Sequence, residues 1–299
     1  MSEPNIIGKK KIFFLISGLV IIPGIVALVF WGLRPAIDFT GGTLLEFQIS
    51  PQKTHSAESI RQVVEKESVE IASIQKSGEN TYLLRLKPID TIKNRELQNA
   101  LKNGYGDITQ LRYETVGPTI GSETTANAMK AVLIASVAII IYIALAFRQV
   151  PKPYSSVKFG ICAVAALIHD ILVVVGIFSI FGHFFHVEID TLFITALLTI
   201  MGFSVHDTIV VFDRIRENLQ KMPSQSFEHI VNVSIIQTLA RSLATSLTVI
   251  FTLFSLLLFG GESIRWFVVA LLIGIVSGTY SSIFNAAPLL VFWEERKKR

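Results

Sequence analysis

Five ionisable side chains lie within, or at the edge of, long apolar stretches of this chain. They are His169, Asp170, His206, Asp207 and Arg241. An ionisable group is costly in hydrocarbon, so such residues usually face a protein interior or a water-filled cavity and mark ion or substrate pathways. A buried carboxyl group whose charge depends on a nearby cation is suited to an ion relay.

Asp207 and Arg241 are the pair that we predict to form such a relay. Asp207 precedes Arg214 by seven residues, which places it roughly 10 Å inside the boundary that Arg214 marks. Arg241 precedes Gly261 by about 20 residues, or roughly 30 Å of helix, which gives a similar depth. Because either charge alone is expensive in lipid, an Asp and an Arg at one depth on adjacent helices are expected to pair.

A polar face accompanies Arg241 along its predicted helix. Spacings of three and four residues place five side chains on one side: Thr238, Arg241, Thr245, Thr248 and Thr252. We expect this face to point at protein or water, because lipid would solvate its guanidinium and hydroxyl groups poorly. The alternative is that each threonine only donates to a carbonyl of its own helix.

Four residues are candidate auxiliary groups of the relay: Asp170, His206, Thr245 and Asp213. For Asp170, a structural hydrogen-bonding role is an equal alternative. Asp213 lies beside Arg214 and Arg216 and is typical of a charge at the membrane rim. His206 points about 100° away from Asp207 around the helix, which favours proton transfer over pairing with the same arginine.

The elements that position these residues are six predicted membrane spans. The chain is 51% hydrophobic and only 17% charged, against about 25% charged residues in soluble domains. This composition argues against a cytosolic globular protein and excludes a disordered chain, collagen and a coiled coil. Apolar stretches long enough to cross a bilayer lie at residues 12–33, 131–147, 159–181, 191–212, 242–261 and 266–293. The single cysteine, Cys162, cannot form an intrachain disulfide.

The basic residues between the spans predict the orientation, because cytoplasmic flanks are enriched in Lys and Arg. One side carries residues 9–11, Arg148, Lys152, Lys158, Arg214, Arg216, Lys221 and residues 296–299. The opposite loops, residues 182–190 and 262–265, hold a single Arg and three acids. The first span exceeds the about 7–15 residues of a signal-peptide core and precedes no small-x-small cleavage site, which predicts an uncleaved anchor.

Four regions follow from this topology. They are a cytoplasmic N-terminus and first span at residues 1–33, an extracytoplasmic domain at 34–125, a five-span bundle at 126–293, and a basic cytoplasmic tail at 294–299. Both termini are therefore predicted to be cytoplasmic.

The extracytoplasmic domain has the hydrophobic pattern of a small α+β fold. Strands are predicted at residues 43–49, 70–75, 81–86 and 109–116, and helices at 57–67 and 94–102. This βαββαβ order is ferredoxin-like, with both helices on one face of the sheet. The domain holds 11 basic and 12 acidic residues, so it offers no basic face for nucleic acid.

Four short motifs stand out: DFTGGT at residues 38–43, VGP at 116–118 followed by Gly121, GFSVHDTIVVFDRIRE at 202–217, and QTLARS at 237–242. Together they strongly resemble the SecF branch of the SecD/SecF protein-export family, over the whole chain. The family-motif residues are Asp38, Gly41, Gly42, Gly117 and Pro118. One departure is His206, where the family pattern commonly has Asn.

The resemblance implies a fold and a function. The fold is half of a resistance-nodulation-division (RND) transporter, with six transmembrane helices and a ferredoxin-like extracytoplasmic domain. The function is that of a subunit of a SecDF complex in the bacterial cytoplasmic (inner) membrane, which uses the proton motive force to promote Sec-dependent protein export. Asp207 and Arg241 match the positions that the family's proton path needs.

The resemblance also implies the partners. They are SecD as a separate chain, the SecYEG translocon with YajC and YidC as further candidates, and exported unfolded polypeptides. Six SecD spans are expected to complete a pseudo-twofold arrangement about an axis along the membrane normal.

Two other functions compete with this interpretation. Asp170 and Asp207 in neighbouring spans suggest an intramembrane aspartyl protease, but the Gly-x-Gly-Asp form is missing and a paired arginine would oppose a shared proton. A small-molecule exporter of the related superfamily usually has much larger exported domains, in two halves. The chain has no phosphate-binding Gly-x-x-x-x-Gly-Lys-[Ser/Thr] loop, and we predict no enzymatic activity, cofactor or metal site.

Overall fold

A computed structural model describes residues 4–50, 55–77, 80–148, 150–151 and 153–298, without the side chains of Glu262 and residues 296–298. Lys152 and Arg299, which contribute to the predicted orientation, lie outside these residues. The chain forms two compact units. The first comprises Met1–Arg34 and Lys130–Arg299, and the second comprises Pro35–Met129.

The secondary structure follows the predicted order. The elements are α1 (Lys10–Trp31), α2 (Ile37–Thr40), β1 (Gly42–Ile49), α3 (Ala57–Lys66), β2 (Ile71–Lys76), β3 (Thr81–Leu86), α4 (Thr91–Tyr105), β4 (Ile108–Val116), α5 (Pro118–Ala146), α6 (Ser156–Phe184), α7 (Thr191–Lys221), α8 (Phe227–Phe259), α9 (Arg265–Ser281) and α10 (Ala287–Lys298). A 3₁₀ turn (Ile7–Lys9) precedes α1, another (Glu262–Ile264) precedes α9, and a π-helical segment (Ser282–Ala286) joins α9 to α10.

Six helical stretches in the described part of the chain are long and apolar enough to cross a membrane, as predicted. They are Ile7–Trp31, Pro118–Ala146, Ser156–Phe184, Thr191–Lys221, Phe227–Phe259 and Arg265–Glu295. Three of them extend well beyond the apolar stretches: α5 begins at Pro118 rather than near residue 131, α7 continues past residue 212 to Lys221, and α8 begins at Phe227 rather than near residue 242. The added end of α7 is polar, and within it Glu217 pairs with Arg214 and Lys221 at the helical spacings of three and four. The added start of α8 instead buries Phe227, Ile230 and Val231.

The second unit has the predicted ferredoxin-like fold. Its four strands form an antiparallel sheet in the order β2-β3-β1-β4. Ser56 caps α3 by accepting from the Ser59 N–H, and Asp90 caps α4 by accepting from the Lys93 N–H. The core comprises Leu45, Phe47, Ile49, Ile60, Val64, Val69, Tyr82, Leu84, Leu86, Leu97 and Leu101. The alternating buried residues of β3 and the apolar faces of α3 and α4 thus pack together in one core.

The first unit packs its helices around α6, α7 and α9. Phe147, Phe159 and Phe212 form an aromatic triangle with ring centroids 5.3–5.8 Å apart. Helices α1 and α6 approach closely where Gly24 meets Gly176, because a Cβ on Gly176 would lie 2.6 Å from the Gly24 Cα. Small residues permit such backbone contacts between membrane helices.

Candidate ion-relay site

Asp207 lies near the middle of α7 and is buried, with only 3% of its surface exposed. Its carboxyl group lies beside Ser246 of α8 and His206 of its own helix. Within the described residues, Oδ2 of Asp207 is buried without a hydrogen-bond partner. A buried unsatisfied oxygen is destabilising, so such a group in a native protein needs a functional or structural reason.

Asp170 of α6 is the opposite case, although its residue type and its membrane location are the same. It is fully buried. Oδ2 accepts hydrogen bonds from Ser204 of α7 and Ser281 of α9, each at 2.6 Å, and Oδ1 accepts from Ser277 of α9 at 2.7 Å. The His169 Nδ1 lies 3.0 Å from Oδ1. This geometry favours the structural alternative for Asp170, because both carboxyl oxygens are satisfied and three helices are tied together.

Arg241 does not pair with Asp207 within this chain, contrary to our expectation. Asp207 and Arg241 do lie at a similar depth. Asp207 precedes the end of α7 by fourteen residues, and Arg241 follows the start of α8 by fourteen residues. No nitrogen of Arg241 lies within 4.0 Å of a carboxylate oxygen among the described residues, and its side chain is exposed. The reason is that the two side chains lie on different sides of their helices. Asp207 points into the junction of α7, α8 and α9, whereas Arg241 lies on a side of α8 that the described residues leave exposed.

The polar face of α8 is divided between two environments. Thr238 is buried, whereas Thr245, Thr248 and Thr252 are exposed with Arg241. The Thr245 hydroxyl donates to the Arg241 carbonyl at 3.0 Å, and the Thr248 and Thr252 hydroxyls donate to carbonyls three and four residues earlier. The threonines therefore bond to their own helix, the alternative stated above, and the exposed charge on this face belongs to Arg241.

Sequence reasoning missed the serines that surround the two aspartates. Besides the three around Asp170, Ser242 and Ser246 form a buried pair one turn apart on α8. Ser246 shares a 2.6 Å hydrogen bond with Thr279 of α9, and Ser242 Oγ is buried without a partner within the described residues. The i, i+4 spacing of Ser242 with Ser246 and of Ser277 with Ser281 was the available signal.

The other candidate residues lie away from this junction. His206 is exposed although it adjoins Asp207. Asp213 is also exposed and lies 2.5 Å from Arg216 one turn later, which is the arrangement of a rim charge.

The glycine motif lies in the second unit, where β1 begins beside the start of α5. Gly41 has φ +71°, and a Cβ there would lie 3.0 Å from the Pro118 Cα. Gly42 has φ +135°, and Asp38 belongs to the short helix α2. Gly117 directly precedes Pro118, the first residue of α5, where a missing N–H is tolerated. The motif thus lets the backbone turn and approach closely.

The chain matches two family models. One describes the C-terminal part of the protein-export membrane proteins SecD and SecF and matches residues 96–296. The other describes the SecD/SecF GG motif and matches residues 26–53, which include Gly41 and Gly42.

Individual proteins give the same result. The chain is 48% identical to the protein translocase subunit SecF of Thermobaculum terrenum, with 98% of this chain and 94% of the relative covered. It is 37% identical to the SecDF of Bacillus subtilis, covering 97% of this chain but 38% of that protein. The crystal structure of the translocon-associated membrane protein SecDF from Thermus thermophilus matches 99% of this chain and 39% of its own, with 34% identity and a TM-score of 0.83. The chain therefore belongs to the SecD/SecF family of protein-export membrane proteins.

Proposed function

We propose that this chain acts as the SecF half of a SecD/SecF complex that uses the proton motive force to promote Sec-dependent protein export, with Asp207 as the group that gains and loses the proton. The observation that carries this proposal is the buried Asp207 carboxyl group with one unpartnered oxygen. Burial favours the neutral acid, whereas a nearby cation favours the carboxylate. The charge of Asp207 therefore responds to small movements of the surrounding helices.

Arg241 is the proposed counter-charge. It shares the depth of Asp207 but lies on the uncovered face of α8, so a rotation or shift of α8 would change the distance between them. Pairing would hold Asp207 ionised, and separation would release the carboxyl to bind a proton. Alternation between these two forms is the proposed coupling step.

The match to SecDF proteins supports SecD as a partner. This chain aligns with about two fifths of the SecDF chains of B. subtilis and T. thermophilus, in which SecD and SecF are named together. The exposed face with Arg241, Thr245, Thr248 and Thr252 is the side on which we place SecD, because lipid would leave the guanidinium unsatisfied.

Further partners and the location follow from the same proposal. They are the SecYEG translocon, YajC and YidC, with unfolded exported polypeptides as the substrate. We propose the bacterial inner membrane as the location, with both termini cytoplasmic and residues 34–125 outside. No cofactor, metal or enzymatic activity is needed for this function, because the ion gradient supplies the energy.

The aspartyl protease receives no support from the geometry. Such an enzyme needs two carboxyl groups that share a proton. Both oxygens of Asp170 are instead engaged by Ser204, Ser277, Ser281 and His169.

The test is Asp207→Asn in cells that lack any other copy. The variant removes the titratable group without changing size, so we expect normal accumulation and assembly but loss of gradient-dependent stimulation of export. Arg241→Met should have the same effect. Asp213→Asn, on the exposed end of α7, is the matched control and should behave as the parent. Full gradient-dependent export by Asp207→Asn would refute the proposal.

A further inference from the structure

Asn232 on the first turns of α8 holds the N-terminus of the chain. Its Oδ1 accepts hydrogen bonds from the Ile6 N–H at 2.9 Å and the Ile7 N–H at 3.3 Å, and its Nδ2 donates to the Pro4 carbonyl at 3.1 Å. The side chain is 8% exposed. One amide therefore uses both of its polar atoms on a segment more than two hundred residues away in sequence.

The start of α1 depends on this contact, because its own side chains cap it incompletely. Neither the 3₁₀ turn at Ile7 nor α1 itself has a capping side chain at its N-cap position. Asn5 accepts from the Gly8 N–H at 2.7 Å, and Asn232 supplies the acceptor for the two preceding N–H groups. Unpaired N–H groups at a helix start are destabilising when buried, and Ile7 is fully buried in the core.

α1 has a second fixed point farther along. Gly24 lies so close to Gly176 of α6 that the two backbones leave no room for a side chain between them. Gly24 lies about 25 Å along the helix from Ile7 and about 10 Å from Trp31. Between these two points α1 is also held by the C-terminal helices: the Tyr280 hydroxyl donates to the Phe13 carbonyl at 2.8 Å, and the Ser17 hydroxyl donates to Asn285 Oδ1 at 2.9 Å. Asn232 joins the segment before α1 to α8.

The same part of α8 is joined to the helix that carries Asp207. Asn218 of α7 donates to Ser234 at 2.8 Å and to Gln237 at 2.9 Å, and Arg214 donates to Gln237 at 2.7 Å. Asn232 thus lies on a segment of α8 that is tied to α7 on one side and to α1 on the other, about two and a half turns before Arg241.

We propose that Asn232 is a positioning residue that makes the start of α8 and the N-terminal end of α1 move together. A shift of α8 that changes the distance between Asp207 and Arg241 would then also move the N-terminal end of α1. The joint movement of α8 and α1 is inferred from the contacts alone, whereas its consequence for export rests on the proposed function.

The first experiment measures whether Asn232 keeps the segment before α1 buried. Ile7→Cys is introduced in a Cys162→Ala background, and its reaction with a thiol reagent is followed in membranes that contain the full complex. Asn232→Leu should raise the labelling rate about tenfold or more, because both N–H groups lose their buried acceptor. Asn232→Asp retains the acceptor at a helix N-terminus, where a negative charge is favoured, and should stay protected.

Export is measured for the same position-232 variants with position 7 and Cys162 unchanged. At equal amounts of complex, Asn232→Leu should reduce gradient-dependent stimulation about threefold or more, whereas Asn232→Asp should retain it. Thr238→Val is the matched control: it removes a buried hydroxyl of α8 that bonds only within its own helix, and it should leave labelling and export unchanged. If Asn232→Leu does not accumulate, Asn232→Ser, which lacks the bridging amide, replaces it with the same expectations.

Unchanged labelling in Asn232→Leu would overturn the inference, and so would raised labelling with full export. Loss of export in Asn232→Asp while the segment stays protected would also overturn it, because the acceptor would then not be the coupling element. Failure of the proposed function is separable, since it would appear as full export by Asp207→Asn and would leave the labelling results as they are.

Discussion

At the scale of single residues, Asp170 and Asp207 show how one side-chain type serves two purposes in neighbouring helices. Asp170 accepts hydrogen bonds from three serine hydroxyls and lies 3.0 Å from a histidine nitrogen, so both of its oxygens have partners. Asp207 has a buried oxygen without a donor in the described residues. The first arrangement stabilises the packing of three helices, and the second leaves the carboxyl ready to change its charge.

This difference predicts that the same substitution lowers stability at Asp170 but not at Asp207. Asp170→Asn replaces an acceptor-only carboxylate by an amide whose NH₂ group faces hydroxyl donors, and should lower the free energy of unfolding by about 1–3 kcal/mol. Asp207→Asn should leave it unchanged or slightly higher, because a poorly satisfied carboxyl is removed. Thermal unfolding of the purified proteins in one mild detergent would measure both.

Export provides the second readout for Asp170. Because its proposed role is structural, export by Asp170→Asn should fall only in proportion to the amount of folded protein. A stable Asp170→Asn protein that had lost gradient-dependent export would contradict this assignment and would return Asp170 to the relay.

At the scale of elements, the junction between β1 and α5 depends on backbone geometry at one glycine. Gly41 combines φ +71° with close contact to Pro118. An alanine there would be strained, because φ +71° with ψ +164° is a backbone region essentially restricted to glycine, which costs on the order of 1–3 kcal/mol. Its Cβ would also press on the backbone of α5, which adds roughly 1–3 kcal/mol.

Gly41→Ala should therefore destabilise the second unit more than alanine does at two matched glycines. Gly106 has φ +86° with nothing within 4 Å of its Cβ position, so Gly106→Ala should show the strain alone. Gly117 has neither a positive φ nor a close neighbour, so Gly117→Ala should be nearly neutral. Equal protease resistance of all three variants in the full chain would show that the contact with Pro118 has no energetic role.

At the scale of the whole molecule, the proposed topology is testable with one cysteine. Ser77 lies in an exposed connection of the second unit, and the native Cys162 is buried in α6. Ser77→Cys should react with a membrane-impermeant thiol reagent added outside intact cells, whereas Lys9→Cys, just before α1, should react only after the membrane is opened. Labelling of Ser77→Cys solely from the cytoplasmic side would reverse the orientation.

The sequence alone determined the six spans, the order of strands and helices in the second unit, and the glycine motif. These features depend on local patterns. A sustained apolar run indicates a membrane span, and the alternation of apolar and polar residues along residues 81–86 indicates a half-buried strand. Such patterns need no knowledge of which element lies next to which. The family match likewise depends on short motifs that are read directly from the chain.

Only the tertiary structure decided what surrounds each polar side chain. Periodicity along a membrane helix does not show which neighbour each face meets. The described residues do not pair Asp207 with Arg241, so this pairing stays a prediction, whereas the similar depth of the two residues agrees with the helix ends. The serines around Asp170 and the contact of Asn232 with the N-terminus come from residues distant in sequence. Their hydrogen bonds exist because helix packing brings those residues together, and no local pattern records that packing.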